Sequence, residues 1–407
     1  MNIAILTPAI LPVPATQGGA VENLTDFYLD YNAEHRLHDI TVYSVADRAA
    51  ASHPALKASA NHYCHIDTDS LRARARRRIF GMLHRGGFYN HFIEYFFEQA
   101  WRDIRHRHFD AIVLENRPGY ALKLAERTDT PLLLHLHNDL LNATTPQAER
   151  LLDSVARIAV VSDFIGRRVR SIKPTDKVTV VYNGIELEHF ADGGQPAVSR
   201  QALGFAAIGQ PAVSRQALGF ADGDFVIVYS GRINPDKGIS QLLDAMALLS
   251  GIPHARLLVL GSPFFANAAD DDFVRRLKHK AQALGSRVVF TGFVPYERVP
   301  AYLHIADVAV VPSQWDEPFG LTCAEAMAAA RPVVTTDRGG IPEVVGTDGA
   351  LIVPVGDGFA RRLAEAIALL HDRPELRRQL AACAQRRAAR FSKQRYARQF
   401  LNTLNGL

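Results

Sequence analysis

The chain has 407 residues, more than the ~250 to 300 at which a single hydrophobic core usually stops growing, so two domains are predicted and a lone small module is excluded. Hydrophobic residues make up 48% of the chain and charged residues 22%, which excludes disorder as the main state. The 46 basic residues exceed the 42 acidic ones by a formal charge of only +4, which gives no support for nucleic-acid binding.

The three cysteines, Cys64, Cys323 and Cys383, lie far apart and lack the spacing of a disulfide framework or a zinc site, which favours a reducing, cytoplasmic compartment. The apolar stretch that ends near Ala15 is interrupted by prolines and has no basic start, so it predicts a buried first strand rather than an export signal. No apolar run approaches the ~18 residues of a spanning helix, so an integral membrane protein is not expected.

Short runs rich in Val, Ile and Leu recur along the chain, each followed by a helical pattern, and this order is typical of β-α units around parallel sheets. In the first half the predicted strands are 2–6, 40–44, 111–114, 132–136, 158–161 and 178–182. In the second half they are 225–229, 256–260, 288–290, 308–311, 332–335 and 351–353. Two doubly wound α/β domains are therefore expected, with a ligand at the carboxyl ends of the strands in the cleft where the domains face each other.

The predicted domains are 1–185, a linker at 186–223 and 224–407 with terminal helices, of which 395–404 is a stretch that can pack outside the second domain. Within the linker, the sequence 194–206 reappears as 209–221, an offset of 15 residues. One repetition does not make a solenoid, so we interpret it as a tandem duplication of a short linker helix.

The densest motif runs from Val311 to Met327. A strand ends at Val311, a loop carries Glu317, and a helix begins near Leu321, so the amides of Phe319, Gly320 and Leu321 form a helix N-terminus suited to an anion such as phosphate. Glu325 lies just over one turn into that helix, so both carboxylates are expected to accept hydrogen bonds from vicinal hydroxyls of one ligand.

A second motif, residues 229–238, follows the first strand of the second half. Gly231 and Gly238 punctuate a strand-loop-helix turn, and Arg232 and Lys237 put two cations beside a helix N-terminus, an arrangement that suits a diphosphate. Solvated loop charges are the alternative interpretation. The fingerprint G-x-G-x-x-G is absent from the first βα turn, which disfavours a nicotinamide dehydrogenase.

Two further patterns carry weaker signals. After the first strand, Gly18 and Gly19 open a helix that carries Glu22. At the end of another strand, His135 and His137 share a face, which makes a metal pair conceivable, although no third ligand at suitable spacing is evident. The D-x-D patterns at 67–69 and 270–272 are interpreted as an irregular stretch and a helix cap rather than a manganese site.

Taken in order, these motifs resemble the retaining glycosyltransferases of glycosyltransferase family 4. The residues that carry the resemblance are Gly18, Gly19, Glu22, Gly231, Arg232, Lys237, Gly238, Glu317, Pro318, Phe319, Gly320, Glu325, Pro332, Gly339, Gly340 and Glu343. The resemblance spans nearly the whole chain and is strongest from Phe225 to Val345. One departure is Ala330, where the family pattern often has Gly, which should affect turn geometry more than chemistry.

The resemblance implies a GT-B architecture of two facing Rossmann-like domains with a deep cleft, the C-terminal one holding a nucleotide diphosphate sugar. It implies that Arg232 and Lys237 hold the diphosphate, next to Gly231, and that Glu325 holds the ribose. Glu317 and the amides of Phe319, Gly320 and Leu321 would hold the donor sugar and phosphate. His137 would contact the sugar, and Gly18, Gly19 and Glu22 would line the acceptor side.

The expected catalytic residues are therefore His137, Arg232, Lys237 and Glu317, with no metal and no cofactor beyond the co-substrate. The expected reaction moves a hexose-type sugar to a hydroxyl of a glycan or lipid-linked acceptor with retention, in polysaccharide or glycolipid biosynthesis. A nucleotide-sugar epimerase on the same fold and a sugar-nucleotide binding protein without turnover are the alternatives.

Between Leu71 and His91, six arginines alternate with large apolar side chains. A helix of this composition suits an anionic bilayer, so attachment at the inner face of a membrane is a further expectation. A solvated helix whose arginines pair with nearby carboxylates, or bind a soluble anionic acceptor, is the alternative.

Overall fold

The computed structural model describes residues 1–53, 56, 60–83, 88–191, 213–262 and 271–407. The chain forms two compact units: Met1–Gly184 with Lys393–Leu407, and Ile185–Ser392. Each unit has its own parallel sheet and its own helices.

The first unit is built on a seven-stranded sheet with the strand order β3-β2-β1-β4-β5-β6-β7, every neighbouring pair being parallel. Its strands are β1 (Asn2–Leu6), β2 (Asp39–Val45), β3 (His62–Ile66), β4 (Ala111–Glu115), β5 (Leu132–Leu136), β6 (Arg157–Val160) and β7 (Val178–Val180). The order reverses at β1 and β4, the point at which doubly wound sheets usually bind ligands.

The helices of the first unit connect its strands, with two helices between β3 and β4. They are α1 (Ala20–His35), α2 (Arg48–Ala51), α3 (Leu71–Leu83), α4 (His91–Ile104), α5 (Pro118–Ala125), α6 (Ala148–Asp153) and α7 (Asp163–Arg170). Among the described residues, no helix is both long and apolar enough to cross a membrane.

The second unit repeats the arrangement with six parallel strands in the order β10-β9-β8-β11-β12-β13. Its strands are β8 (Phe225–Ser230), β9 (Ala255–Leu260), β10 (Val288–Gly292), β11 (Val308–Val311), β12 (Val333–Thr336) and β13 (Ala350–Val353). Its helices are α8 (Leu187–Ala191), α9 (Ile239–Leu248), α10 (Asp272–Gln282), α11 (Val299–His304), α12 (Leu321–Ala328), α13 (Ile341–Val345), α14 (Phe359–Asp372) and α15 (Pro374–Ala388).

The last helix, α16 (Lys393–Leu404), belongs to the first unit. Phe400 is fully buried and its ring stacks on Tyr28 of α1 at a centroid distance of 4.4 Å, while Tyr396 and Leu401 join the same apolar core. The unit boundaries therefore differ from the predicted domain 224–407, because residues from Lys393 onward complete the first unit.

The predicted linker, 186–223, lies in the second unit where it is described. The first copy of the duplicated segment, 194–206, and the start of the second lie outside the described residues. In the remainder of the second copy, Arg215 forms an ion pair with Asp307 at 2.9 Å and donates to the carbonyl oxygen of Ile305. This part of the duplication is thus anchored to the body of the second unit.

Candidate functional site

Two loops meet at the carboxyl ends of the neighbouring strands β8 and β11. Gly238 ends the first loop with a left-handed φ of 71°, and a Cβ at this position would overlap the carbonyl oxygen of Pro312 in the second. The amide of Gln314 donates to the carbonyl oxygen of Asp236 at 2.7 Å. The absence of a side chain at Gly238 is therefore what lets the two loops touch.

The closest contact in this site joins the two loops through opposite charges. Lys237 Nζ lies 2.5 Å from Glu317 Oε1, which also accepts a hydrogen bond from Ser313 Oγ at 2.6 Å. Glu317 is 7% exposed, and the Lys237 ammonium lies 5.3 Å from the centre of the Trp315 ring. Lys237 and Glu317, assigned separately from sequence, thus form one fixed pair.

A third loop, after β12, holds the backbone at Glu317. Gly340 donates its N–H to the carbonyl oxygen of Glu317 at 2.7 Å. Gly339 has a φ of 61°, and a Cβ there would overlap the backbone of Glu317. The Gly-Gly pair therefore acts by packing against the loop that carries the carboxylate.

The helix α12 begins directly after the loop that carries Glu317, with Gly320 as its N-cap at a φ of 107°. The amides of Cys323 and Ala324 donate to the carbonyl oxygen of Gly320. Because the first amides of a helix have no acceptor within it, those of Leu321 and Thr322 are available to an anion. Phe319 is 2% exposed and its ring meets Phe391 edge to face, so the ring packs in the second unit instead of facing a ligand.

Glu325 lies on α12, and burial raises its pKa to about 7. No described residue donates a hydrogen bond to its carboxylate, which leaves its oxygens available to ligand hydroxyls. The neighbouring Cys323 thiol is fully buried, and burial raises its pKa to about 12. The hydrogen bond with Thr335 and the charge of Lys237 act in the opposite direction, while Glu317 and Glu325 add to the increase. Lys237, Glu317 and Glu325 therefore all lie near this thiol, at the start of α12.

Arg232 is an exposed cation at the same end of the sheet. Its side chain is exposed and has no partner in the described part of the chain, while its carbonyl oxygen accepts from the hydroxyl of Tyr229 at 2.6 Å. Burial raises the pKa of Tyr229, and Glu317 and Arg232 both act on that hydroxyl. Gly231 has a φ of 148° and packs against Gly261.

In the first unit, Gly18 and Gly19 precede α1 with positive φ values of 76° and 103°, and Gly19 is its N-cap. A Cβ on Gly19 would overlap the carboxylate of Glu22, which is 5% exposed. The pKa of Glu22 is raised to about 7, mainly by burial. The structure thus brings these three predicted acceptor-side residues together.

His137 belongs to a buried cluster at the carboxyl ends of β4 and β5. Its Nε2 lies 2.9 Å from Glu115 Oε2, His135 Nδ1 lies 3.1 Å from the same oxygen, and Tyr28 donates to Glu115 Oε1 at 2.9 Å. Glu115 was missed in the sequence because it lies on a different strand from the histidines, where the register pairs it with His135. A carboxylate at the end of a buried strand was the available signal.

This cluster brings together three side chains of the kinds that bind metal ions. One ligand atom from each of Glu115, His135 and His137 lies within 4.8 Å of the others, so the third ligand that the sequence did not reveal is present. The same contacts are all normal hydrogen bonds, which already satisfy the carboxylate without an ion.

The D-x-D patterns have local structural roles. Asp67 accepts from the backbone amides of Asp69 and Ser70, and Asp69 pairs with Arg74 at 2.9 Å. Asp271 caps α10 by accepting from the amide of Val274, as predicted. Asp270 lies outside the described residues.

Comparison with known proteins supports the family resemblance of the sequence motifs, and it does so in both halves of the chain. Residues 33–189 match the family Glycosyltransferase Family 4, and residues 212–387 match Glycosyl transferases group 1. Spore coat protein SA of Bacillus subtilis is 28% identical over 99% of this chain and 98% of its own length. The D-inositol 3-phosphate glycosyltransferase of Jonesia denitrificans is 30% identical over 72% of this chain and 69% of its own length.

Solved structures agree in fold. Anabaena Alr3699/HepE in complex with UDP-glucose aligns over 100% of both chains with a TM-score of 0.72 at 22% identity. WaaG, a glycosyltransferase involved in lipopolysaccharide biosynthesis, aligns over 100% of both chains with a TM-score of 0.65 at 15% identity.

The fold and the family matches together define a glycosyltransferase of the GT-B type. The chain belongs to glycosyltransferase family 4, as its sequence motifs predict.

Proposed function

We propose that this protein transfers a hexose-type sugar from a nucleotide diphosphate sugar to a hydroxyl of a glycan or lipid-linked acceptor, with retention of anomeric configuration. The observation that carries the proposal is the Lys237–Glu317 pair, at 2.5 Å, beside the open guanidinium of Arg232. One diphosphate sugar is then bound by two cations, a helix N-terminus and two carboxylates.

The two cations are suited to the charge that develops on the leaving diphosphate. Arg232 offers a fork of donors, and Lys237 offers a point charge held in place by Glu317 and Trp315. Catalysis then depends on positioning and charge neutralisation, and no metal ion is needed. Family membership supports front-face attack, with the leaving phosphate assisting deprotonation of the acceptor.

The carboxylates are assigned to hydroxyl groups rather than to acid-base chemistry. In a glycosidase, two carboxyl groups flank the bond that breaks and one of them carries a proton. Here the raised pKa of Glu325 taken alone would suit such an acid. The chain, however, belongs to a family of glycosyltransferases, and the motif resemblance gives both Glu317 and Glu325 to ligand hydroxyls. We therefore assign Glu317 to the donor sugar and Glu325 to the ribose.

The test begins with a panel of uridine, guanosine and adenosine diphosphate sugars, with mass detection of the transferred sugar. Lys237→Met is expected to weaken donor binding or transition-state stabilisation by about 1.5 to 3 kcal/mol, the value of a hydrogen bond to a charged group. Lys280→Met is the matched control, because Lys280 also pairs with a carboxylate of the second unit, Asp244, at 2.8 Å.

Equal donor affinity and turnover in Lys237→Met and the control would contradict the diphosphate assignment. Donor consumption without transfer to any acceptor would favour an epimerase instead. Activity is expected to survive chelation with EDTA, and complete loss that a divalent metal restores would contradict metal independence.

We further propose that the acceptor is lipid-linked and that α3 attaches the protein to the inner face of an anionic membrane. Leu71, Ile79 and Met82 are 85%, 53% and 67% exposed. At roughly 100° per residue they fall within about 80° of one another around the helix, which makes an apolar stripe.

Arginines flank this stripe on both sides. Arg72 and Arg76 follow it in one direction around the helix and Arg78 in the other, and all three are exposed. Arg77 points elsewhere, because it donates to the carbonyl oxygen of Thr68 at 3.1 Å and lies over the Phe92 ring at 5.1 Å. An exposed apolar stripe between cationic flanks fits the boundary between headgroups and acyl chains.

Vesicle flotation tests this attachment with phosphatidylglycerol-containing and pure phosphatidylcholine vesicles at low salt. We expect binding to the anionic vesicles alone, and its loss when Leu71, Ile79 and Met82 become Ser or when the flanking arginines become Ser. The control replaces Leu248 and Leu369, which are exposed apolar residues of the second unit. A wild-type protein that ignores anionic vesicles, or equal loss in the control, would contradict the attachment.

A further inference from the structure

Glu115 is a fully buried carboxylate with three hydrogen-bond partners, Tyr28, His135 and His137. Burial alone would raise the pKa of Glu115, but the charge and hydrogen bond of His135 and the hydrogen bond from His137 bring it below its ordinary value. The group is therefore an ionised carboxylate, which can only accept hydrogen bonds.

The ionised state of Glu115 determines which ring nitrogen of each histidine carries a hydrogen. The nitrogen that faces an ionised carboxylate must carry a hydrogen, so His137 is protonated at Nε2. A hydrogen on Nδ1 would be buried without an acceptor among the described residues, so the geometry favours a neutral ring. Burial, together with His135, also lowers the pKa of His137 to about 4. A neutral ring protonated at Nε2 has a lone pair at Nδ1, which is buried and has no partner among the described residues.

We propose that Glu115 is a positioning residue that locks His137 in the Nε2–H tautomer, so that Nδ1 accepts a hydrogen bond from a hydroxyl of a bound sugar. The sugar in this proposal rests on the proposed function. The backbone of His137 is held as well, because its amide donates to Asn116 Oδ1 at 3.1 Å. The side chain therefore offers an acceptor, and not a donor, to its ligand.

The unpartnered nitrogens also favour hydrogen bonding over metal binding in this cluster. If a cation took the place of the N–H groups, the far nitrogens, His137 Nδ1 and His135 Nε2, would carry hydrogens and need acceptors. Metal-bound histidines nearly always have such an acceptor, and neither nitrogen has one in the described part of the chain.

The tautomer can be measured directly in the wild-type protein. Nitrogen-15 NMR of imidazole-labelled protein is expected to show His137 protonated at Nε2 and unprotonated at Nδ1. A His137 that carries its hydrogen on Nδ1, or a stoichiometric bound metal ion in the purified protein, would overturn the proposal.

Variants then separate positioning from packing. Glu115→Met removes the acceptor, so both tautomers of His137 should become populated and turnover should fall about tenfold to hundredfold. Glu115→Asp keeps the carboxylate and should retain more of the Nε2–H form and of the activity. Tyr28→Phe removes a hydrogen bond from the same carboxylate but none from His137, and should leave the tautomer unchanged.

Binding measurements separate this proposal from the proposed function. With UDP and UDP-glucose as probes, Glu115→Met should weaken the sugar nucleotide and leave UDP binding as it was. Equal weakening of both would overturn the sugar contact, and an unchanged tautomer in Glu115→Met would overturn the positioning role. A protein with the expected tautomer that uses no donor of the panel would contradict the proposed function and with it the sugar ligand, but not the role of Glu115.

Discussion

Ala330 follows α12 with a φ of 52°, a left-handed conformation that costs an alanine roughly 1 kcal/mol. The amide of Arg331 bonds to the carbonyl oxygen of Ala326 at 2.9 Å, so Ala330 occupies the helix-ending position where glycine is preferred. Ala330→Gly is therefore expected to raise the free energy of unfolding by about 0.5 to 1 kcal/mol, measured by urea denaturation. No gain in stability would contradict the idea that the family's glycine serves the turn.

The carboxyl group of Glu325 should make the stability of the folded protein depend on pH. Burial raises its pKa from 4.5 to about 7, so between these values the folded protein binds more protons than the unfolded one. Stability should therefore fall as pH rises from about 5 to 7, and the loss should be complete above 7. Glu325→Gln lacks this titration and therefore this loss. Between pH 5 and pH 8 the free energy of unfolding of the variant should therefore rise by about 2 kcal/mol relative to that of the wild type.

Thermal or urea unfolding across that pH range checks the expectation. Glu22 is the comparison, since burial raises its pKa to about 7 as well. Glu22→Gln should remove a second part of the same pH dependence, measured in the first unit. A wild-type stability that rises between pH 5 and 7 faster than that of either variant would contradict the sign.

At the scale of elements, the sequence predicted twelve strands close to their observed limits, because runs of Val, Ile and Leu that are buried on both faces are distinctive. It did not predict β3, His62–Ile66, an edge strand of mixed polar and apolar residues, none of which is fully buried. The donor-site loops were predictable because Gly and Pro residues mark their turns. Contacts between elements, such as Glu115 with His137, depend on sheet register and were not.

Gly339 tests whether one loop positions another. Gly339→Ala would place a Cβ against the backbone of Glu317 at a φ of 61°, and should lower donor affinity and cost about 2 to 3 kcal/mol of stability. Gly219→Ala is the matched control, because Gly219 has a φ of 77° with open space around its Cβ position. Isothermal titration and urea unfolding measure the two effects.

Only the backbone strain is common to both variants. The difference between them therefore reports the contact with the loop of Glu317. Equal effects in Gly339→Ala and Gly219→Ala would contradict the packing role that we assign to the Gly-Gly pair.

At the scale of the whole molecule, the chain returns to its first unit in the last fifteen residues. The sequence predicted a terminal helical stretch that can pack outside the second domain, but not its packing partner, because a helical pattern does not show which element covers the helix. Tyr28 on α1 and Phe400 on α16 meet in one core, although they are separated by the entire second unit. The first unit therefore completes its core only after the second has been synthesised.

Phe400→Ala should leave a cavity in the core of the first unit and cost about 3 to 5 kcal/mol there. In hydrogen exchange of the full chain, amides of β1 and α1 should lose protection while those of β8 and α9 keep it, because local stability follows the core that is damaged. The reciprocal control is Phe359→Ala, a buried residue of the second core, which should reverse the pattern. Loss of protection in β8 equal to that in β1 on Phe400→Ala would contradict the assignment of α16 to the first unit.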